Sequence, residues 1–211
     1  MTNHLPKITL ATLFALTAAT TLASAVENSS NNVSGIFLTG GVGTGAYQSA
    51  NSNSNSGFMS QVGSGYLYAL PHYNQIALGG ELSATFYPSI KETSVLSNNT
   101  TTTVTNYSFN LLGVARYFIN DQWSVAGKMG PSFFQSNLSV ASNGFTYRVP
   151  TSNSSVGFMT DIGLAYHLNP MVALTMDFNY SWQKFDFAGF ESETFSPYGI
   201  LGGININFGG M

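Results

Sequence analysis

Residues 172–182 read VALTMDFNYSW and alternate strictly between large apolar side chains and small or polar ones. The apolar members share one parity: Val172, Leu174, Met176, Phe178, Tyr180 and Trp182. Successive side chains of a β-strand point to opposite faces, so a period of two residues indicates a strand. The stretch therefore predicts a strand that is apolar on one face and polar on the other.

The same alternation recurs seven more times between Val33 and Phe208. The other predicted strands cover about residues 35–47, 58–70, 76–86, 107–117, 123–133, 156–168 and 198–208. Short turns are expected at 71–75, 120–122 and 168–170, and long loops rich in Ser, Asn and Thr at 48–57, 88–105, 135–153 and 185–194. The Asn-Ser repeats at 51–56 and the run Thr100–Thr103 are expected to form mobile surface loops. The pattern predicts eight antiparallel strands with short and long connections in turn.

The composition limits the class of protein. Only 7% of the 211 residues are charged, although 44% are hydrophobic, and soluble domains carry about a quarter charged residues. The formal net charge of −3 gives no basic surface for nucleic acid. The chain has no cysteine, which excludes disulfides and thiolate chemistry. Low charge suits a chain that turns much of its surface toward lipid.

The charged residues decide which face of the strands is inside. Those in the middle of strands all fall on the polar parity: Glu81, Arg116, Lys128, Asp161 and Asp177. A soluble barrel would have to expose the continuous apolar face to water, whereas a membrane barrel turns it toward lipid. The sequence thus predicts an all-β fold, an eight-stranded antiparallel up-and-down transmembrane β-barrel with a polar lumen.

The N-terminus has the pattern of an export signal. Lys7 precedes an apolar run from Ile8 to Leu22, and Ala23-Ser24-Ala25 matches a cleavage site. We therefore predict a signal peptide at residues 1–25 that is cleaved after Ala25; an uncleaved helical anchor is the alternative. The remaining chain divides into a short lead at 26–32, the barrel at 33–208 and a C-terminal overhang at 209–211.

Aromatic residues are expected near both ends of the apolar face, where such rings favour the membrane–water interface. The turn end has Tyr117, Trp123 and Tyr166, and the loop end has Phe86, Tyr107, Phe133 and Trp182. These seven residues predict an aromatic girdle.

The turns predict which lumenal residues meet. If the turn at 168–170 has three residues, Asp161 faces Asp177 on the neighbouring strand. By the same rule Val114 faces Lys128, and Arg116 lies diagonal to it. Adjacent carboxylates require cations or a shared proton. We therefore predict a lumenal ion-pair network of Glu81, Arg116, Lys128, Asp161 and Asp177, which serves as a structural plug or, alternatively, as a gate for ions.

Catalysis and metal binding are not expected, and no cofactor is predicted. Of the histidines beyond residue 25, His72 lies in a turn and His167 at the turn end of a strand, far from an outer-leaflet substrate. Neither has the clustered partners of a metal site. The glycine-rich segment 40–45 is not followed by the Lys and helix of a phosphate-binding loop.

The last long loop has the most distinctive surface composition. It combines acidic and aromatic residues, and the candidates for recognition are Asp186, Phe187, Phe190, Glu191 and Glu193. An ordinary loop rim beside the lipid headgroups is one interpretation. The other is a surface for a host or phage protein, or a divalent-cation bridge to lipopolysaccharide.

Residues 33–208 resemble the small eight-stranded outer-membrane barrels: the transmembrane domain of outer-membrane protein A, the X-type proteins and the opacity-type surface proteins. The resemblance rests on architecture. It implies Gram-negative outer-membrane lipid and lipopolysaccharide as surroundings, and a monomer. Such barrels end on an aromatic residue that the insertion machinery reads; Phe208 is the equivalent here, although Gly209-Gly210-Met211 follows it. The resemblance favours a non-enzymatic surface-display barrel, with adhesion or immune interaction as its role, over a narrow porin-like pore.

Overall fold

A computed structural model describes residues 34–48, 56–94, 100–142, 145–185 and 193–209. Within these ranges no helix has the length and hydropathy needed to span a membrane. The described residues form nine strands: β1 (Gly35–Gln48), β2 (Ser56–Leu70), β3 (Tyr73–Phe86), β4 (Ile90–Ser94), β5 (Thr100–Phe118), β6 (Trp123–Ser142), β7 (Phe145–His167), β8 (Val172–Phe185) and β9 (Glu193–Asn207). The predicted signal peptide and lead lie outside the described residues.

Eight long strands close into a barrel. Each pairs antiparallel with its neighbour in the chain, β3 pairs with β5, and β1 pairs with β9 to complete the ring. The ring order is therefore β1, β2, β3, β5, β6, β7, β8 and β9, so that β3 lies opposite β8. We call the end with the short connections the turn side and the other end the loop side. The predicted eight-stranded barrel is confirmed.

The short strand β4 continues β3 after an interruption. Phe86, the last residue of β3, pairs with Tyr107 of β5, and pairing resumes where Ile90 faces Val104. Three residues, 87–89, thus face two residues of β5, which makes a bulge. Pro88 lies in the bulge, where its missing N–H costs no ladder bond.

The barrel is apolar outside and polar inside. Leu174 and Phe178, on the apolar parity, are both 46% exposed on the outer surface. Glu81, Asp161 and Lys128, on the other parity, are buried in the lumen. A barrel with an apolar interior would have shown the reverse, so the topology predicted from the placement of charge is confirmed.

Two turn-side connections have the same construction. The Asn120 side-chain oxygen accepts hydrogen bonds from the backbone N–H groups of Gln122 and Trp123. The Asn169 oxygen accepts from Met171 and Val172 in the same way. Each asparagine begins a three-residue turn, a local side-chain interaction that favours turns over continued strand.

The second of these turns corrects a predicted register. Because the turn begins at Asn169 and not at Leu168, His167 pairs with Ala173. Asp161 then faces Asn179, and Asp177 faces Gly163. The prediction that Asp161 lies directly opposite Asp177 is wrong. The register predicted for β5 and β6 is confirmed, since Val114 faces Lys128.

Two predicted loops are largely strand. Thr100–Thr103, expected in a mobile loop, begins β5 and pairs with both β4 and β6. β6 and β7 likewise continue to Ser142 and from Phe145, through the predicted loop at 135–153. Threonine is β-branched and favours strands, and pairing between neighbours outweighs the polar composition. The predicted turn at 71–75 shortens to 71–72, next to an irregular pair at Ala69/Leu70.

Candidate functional site: the barrel lumen

Three carboxylates from different strands surround one ammonium group in the middle of the lumen. Lys128 Nζ, on β6, lies 3.2 Å from Glu81 Oε2 of β3. It lies 3.6 Å from Asp177 Oδ1 of β8 and 3.8 Å from Asp161 Oδ1 of β7. We call these four residues the ionic cluster. A single cation thus links four of the eight long strands through charge attraction.

Glycines on the inner face leave room for these side chains. A β-carbon on residue 163 would collide with Asp177 Oδ1, which lies over that position. A β-carbon on residue 63 would lie 3.1 Å from Glu81 Oε1. Gly163 and Gly63 therefore allow the two acids to extend along the wall toward Lys128.

Arg116 is buried on the same inner face but stands apart from the ionic cluster. It pairs with Ala126 on β6 and with Ala77 on β3. Within the described part of the chain its guanidinium makes no ion pair shorter than 4.0 Å, and its Nε has no hydrogen-bond partner. The structure thus brings Glu81, Asp161 and Asp177 within ion-pair distance of Lys128, whereas Arg116 attracts Asp177 and Glu81 over a longer distance.

A hydrogen-bonded polar layer lies on the loop side of the ionic cluster. It comprises Gln61, Ser83, Thr85, Ser108, Asn110 and Ser132, all buried. Asn110 is the hub: its Nδ2 donates to Thr85 Oγ1 at 3.0 Å and to Ser83 Oγ at 3.3 Å. Its Oδ1 accepts hydrogen bonds from the hydroxyls of Ser108 and Ser132. The layer joins β2, β3, β5 and β6 from inside.

Aromatic rings cover the polar layer at the loop side. Tyr47 of β1, Tyr87 of the bulge and Phe134 of β6 are nearly fully buried and pack with Met59 and Leu201. We call these three rings the aromatic lid. The sequence offered one signal for it: Tyr87 continues the lumenal parity of Glu81, Ser83 and Thr85 and directly precedes Pro88.

The turn side of the lumen contains a buried cluster of apolar residues beside Arg116 and other polar side chains. Phe37, Leu67, Ala77 and Val114 are buried together, and Phe118 packs against them. His167 lies at this end, where its Nε2 is 2.8 Å from Ser124 Oγ. Both predicted positions for histidine, in the turn at 71–72 and at the turn end of β7, are those found. Side chains thus fill the lumen from the turn side to the loop side.

The seven girdle residues lie on the outer surface. On the turn side the rings of Trp123 and Tyr166 are 4.9 Å apart, and Tyr117 donates a hydrogen bond to Gln75. On the loop side Phe86 stacks with Tyr107 at 6.4 Å, while Phe133 and Trp182 are exposed. The two groups lie toward opposite ends of the apolar outer face.

The structure describes one of the five recognition candidates in the last long loop. Asp186, Phe187, Phe190 and Glu191 lie outside the described residues. Glu193 begins β9, where its backbone pairs with Phe185.

An antiparallel barrel with an apolar outer band, edge aromatics and a charged lumen defines a transmembrane β-barrel of the outer-membrane type. Residues 10–208 match the family described as outer membrane protein beta-barrel domain, and the chain belongs to this family. The protein is therefore a β-barrel of the bacterial outer membrane. In such barrels the short turns face the periplasm and the long loops the exterior, which assigns the two sides.

Three solved barrels illustrate the similarity in fold. Neisserial surface protein A is 15% identical, with a TM-score of 0.55 over 86% of this chain and 100% of its own. OprG from Pseudomonas aeruginosa is 12% identical, with a TM-score of 0.55 over the same shares. Ail of Yersinia pestis, in complex with a heparin analogue, is 12% identical, with a TM-score of 0.51 over 82% of this chain and 99% of its own. The chain matches no curated protein sequence.

Proposed function

We propose that the protein is a non-enzymatic scaffold that displays its loop side at the cell surface for attachment or immune interaction. The observation that carries the proposal is the length of three strands. β5, β6 and β7 have 19, 20 and 23 residues, whereas a tilted strand crosses the membrane with about 9–11. The three strands end at the same level on the turn side. Their additional residues therefore extend beyond the loop-side girdle into the exterior.

The projecting strands form a continuous sheet. β4 pairs with β5, β5 with β6 as far as Ala141, and β6 with β7 as far as the pair Ser142 and Phe145. A paired sheet presents side chains and strand edges in fixed positions, which suits recognition by another macromolecule. This supports a display role for the part of the barrel outside the membrane.

The filled lumen supports the role of a scaffold more than that of a transport protein. Apolar residues occupy its turn side, the ionic cluster its middle and the aromatic lid its loop side. An eight-stranded barrel has an interior only wide enough for its own side chains or a small ligand.

Two structural neighbours have names that agree with a surface role. One is called a surface protein, and the other an attachment invasion locus protein, solved with a heparin analogue. They share the barrel fold with this chain, so they support the proposal without assigning any residue to it.

The proposal is tested on intact cells by surface proteolysis and by adhesion. We assign recognition to the acidic and aromatic loop at 186–193 beside the projecting sheet. We expect added protease to cleave the loop side, and deletion of residues 186–193 to reduce adhesion to host cells. Deletion of residues 51–55, in another long loop, is the matched control and should leave adhesion unchanged. Adhesion that survives removal of 186–193 contradicts the assignment to this loop, and resistance of intact cells to protease contradicts display.

A narrow pore is the second candidate, because the middle of the lumen is charged and hydrogen-bonded instead of apolar. In this case the ionic cluster would be a gate. Planar-bilayer recordings of the wild type and of Lys128→Ala separate the two: a pore with this gate conducts more after the substitution. If neither protein conducts, the pore is contradicted and the scaffold role remains.

We also infer three partners. Outer-membrane lipid and lipopolysaccharide surround the barrel, and the insertion machinery engages the C-terminal strand. Phe208 supports the last inference, since its backbone N–H donates to Ile36 O at 2.7 Å and continues the β1–β9 seam to the turn side. Phe208→Ala should slow assembly in cells; insertion at the wild-type rate would contradict this role.

A further inference from the structure

Tyr87 spans the lumen at its loop-side mouth. It follows the last residue of β3, yet its hydroxyl lies 3.2 Å from Ser181 Oγ on β8, the strand opposite β3 in the ring. The same hydroxyl lies 3.2 Å from Ser108 Oγ on β5. One side chain therefore connects opposite walls of the barrel above the polar layer.

A second tyrosine holds the backbone beside it. The Tyr47 hydroxyl, on β1, donates to the carbonyl oxygen of Pro88 at 2.8 Å. Asn106 Nδ2, on β5, donates to the same hydroxyl at 3.1 Å. The Tyr87 ring lies 6.4 Å from that of Tyr47 and 5.8 Å from that of Phe134. Tyr87 and Pro88 are thus held mainly by side-chain contacts, whereas Tyr47 and Phe134 lie in paired strands.

The backbone at Tyr87 and Pro88 makes few hydrogen bonds to the neighbouring strand β5. Tyr87 N–H donates to Asn106 O at 3.1 Å, and Pro88, the next residue, has no N–H to donate. Regular pairing with β5 resumes only at Ile90. The lid segment can therefore move by releasing side-chain contacts, without dismantling the closed barrel.

Two buried amide side chains on the inner wall would gain hydrogen bonds if water reached them. Asn179 and Gln183, on β8, are 0% and 1% exposed, and neither side-chain oxygen or nitrogen has a hydrogen-bond partner in the described structure. Burying a polar group without a hydrogen-bond partner is unfavourable. Hydration of these amides would offset part of the cost of separating the aromatic rings.

We propose that Tyr87 and Pro88 are the hinged part of the aromatic lid. Release of the Tyr87 contacts then admits water and small polar solutes to the polar layer from the exterior. This goes beyond the scaffold role, because it assigns a movable part to the lumen. The turn-side apolar residues stay in place, so the open state is a cup and not a channel.

The absence of cysteine from the sequence allows a direct test. Ser132, fully buried in the polar layer, is replaced by cysteine to give a barrel with one thiol. The rate of its modification by a small charged methanethiosulfonate reagent is measured in refolded protein. We expect slow labelling in this background, labelling at least tenfold faster with Tyr87→Ala, and an intermediate rate with Tyr87→Phe, which keeps the ring but loses both hydroxyl contacts.

Matched controls separate the lid from general loosening. Phe86→Ala changes the neighbouring residue on the lipid face and should not alter the rate. A cysteine at the exposed Ser56 reports the intrinsic reactivity of the reagent. Ser181→Ala removes the same cross-lumen contact from the opposite wall, so it should accelerate labelling as Tyr87→Phe does, even where Tyr87→Ala fails to fold. Unchanged rates in Tyr87→Phe and Ser181→Ala, or equal acceleration by Phe86→Ala, would overturn the proposal.

Discussion

Lys128 Nζ and Glu81 Oε2 lie 3.2 Å apart although β5 separates their strands in the barrel wall. The contact is possible because both side chains extend into the lumen instead of along the sheet. Asp161 and Asp177 approach the same ammonium from the other side. Ion pairs inside the barrel therefore link strands that are not neighbours in the wall, in addition to the backbone pairing between adjacent strands.

Removing the lysine should strongly destabilise the barrel. In Lys128→Met two buried carboxylates and the partly buried Asp177 are left without a cation in contact, and breaking a buried ion pair costs about 3–5 kcal/mol. We expect a loss of this size in the free energy of unfolding, measured by urea titration in lipid vesicles with the fluorescence of Trp123 and Trp182. Met129→Ala, at the adjacent lipid-facing position, should cost less. A Lys128→Met barrel as stable as the wild type would show that the acids need no cation.

Adding one methyl group to a strand should have an effect that depends on the face of the barrel, because Gly163 lies on the buried inner face and Gly127 on the exposed outer face. Gly163→Ala places a β-carbon against Asp177 Oδ1, whereas a β-carbon at Gly127 meets no atom within 4 Å. We expect Gly163→Ala to lower the free energy of unfolding by about 1–3 kcal/mol, the range for overpacking. Gly127→Ala should be close to neutral. Equal effects of the two substitutions in the same urea titration would contradict the crossing of Asp177 over residue 163.

The strands and their faces could be predicted from the sequence because alternation is a local property. Leu174 and Phe178 are placed outside, and Lys128 and Asp161 inside, by parity alone. The register of β7 and β8 was harder, since it depends on where a turn begins. The shared asparagine at the first position of both three-residue turns was the available signal, and it favours Asn169.

Other features were beyond prediction for physical reasons. The polar runs around Thr100–Thr103 are strands because neighbouring segments pair with them, and pairing partners are not visible in the composition of one segment. The lid depends on contacts between Tyr87 and Ser181, which lie 94 residues apart in the chain. Such a contact follows only once the ring of strands is closed.

The asparagine turns should contribute measurably to stability. Asn169→Ala removes the acceptor for two backbone N–H groups, those of Met171 and Val172. At about 0.5–1.5 kcal/mol per hydrogen bond, we expect a loss of about 1–2 kcal/mol, partly offset by water at this exposed end. Asn169→Asp keeps the acceptor and should retain most of the stability. If Ala and Asp are equally destabilising, the side-chain oxygen does not hold the turn.

A charge on the outer surface should cost more at mid-membrane than at the edge. Ile162 lies between Phe158 and Tyr166 on the lipid-facing side of β7 and is 65% exposed. Val156 lies on the same face, nearer the loop side, and is 69% exposed. In membrane barrels an arginine costs about 2–4 kcal/mol at the midplane and about 0–1 kcal/mol near the interface. We therefore expect Ile162→Arg to lower the free energy of unfolding in vesicles by the larger amount and Val156→Arg by the smaller. The matched substitutions differ only in depth, so general damage to the barrel would lower both values equally. If Val156→Arg proved the more costly of the two, the lipid-facing band would have to lie closer to the loop side than the two aromatic edges indicate.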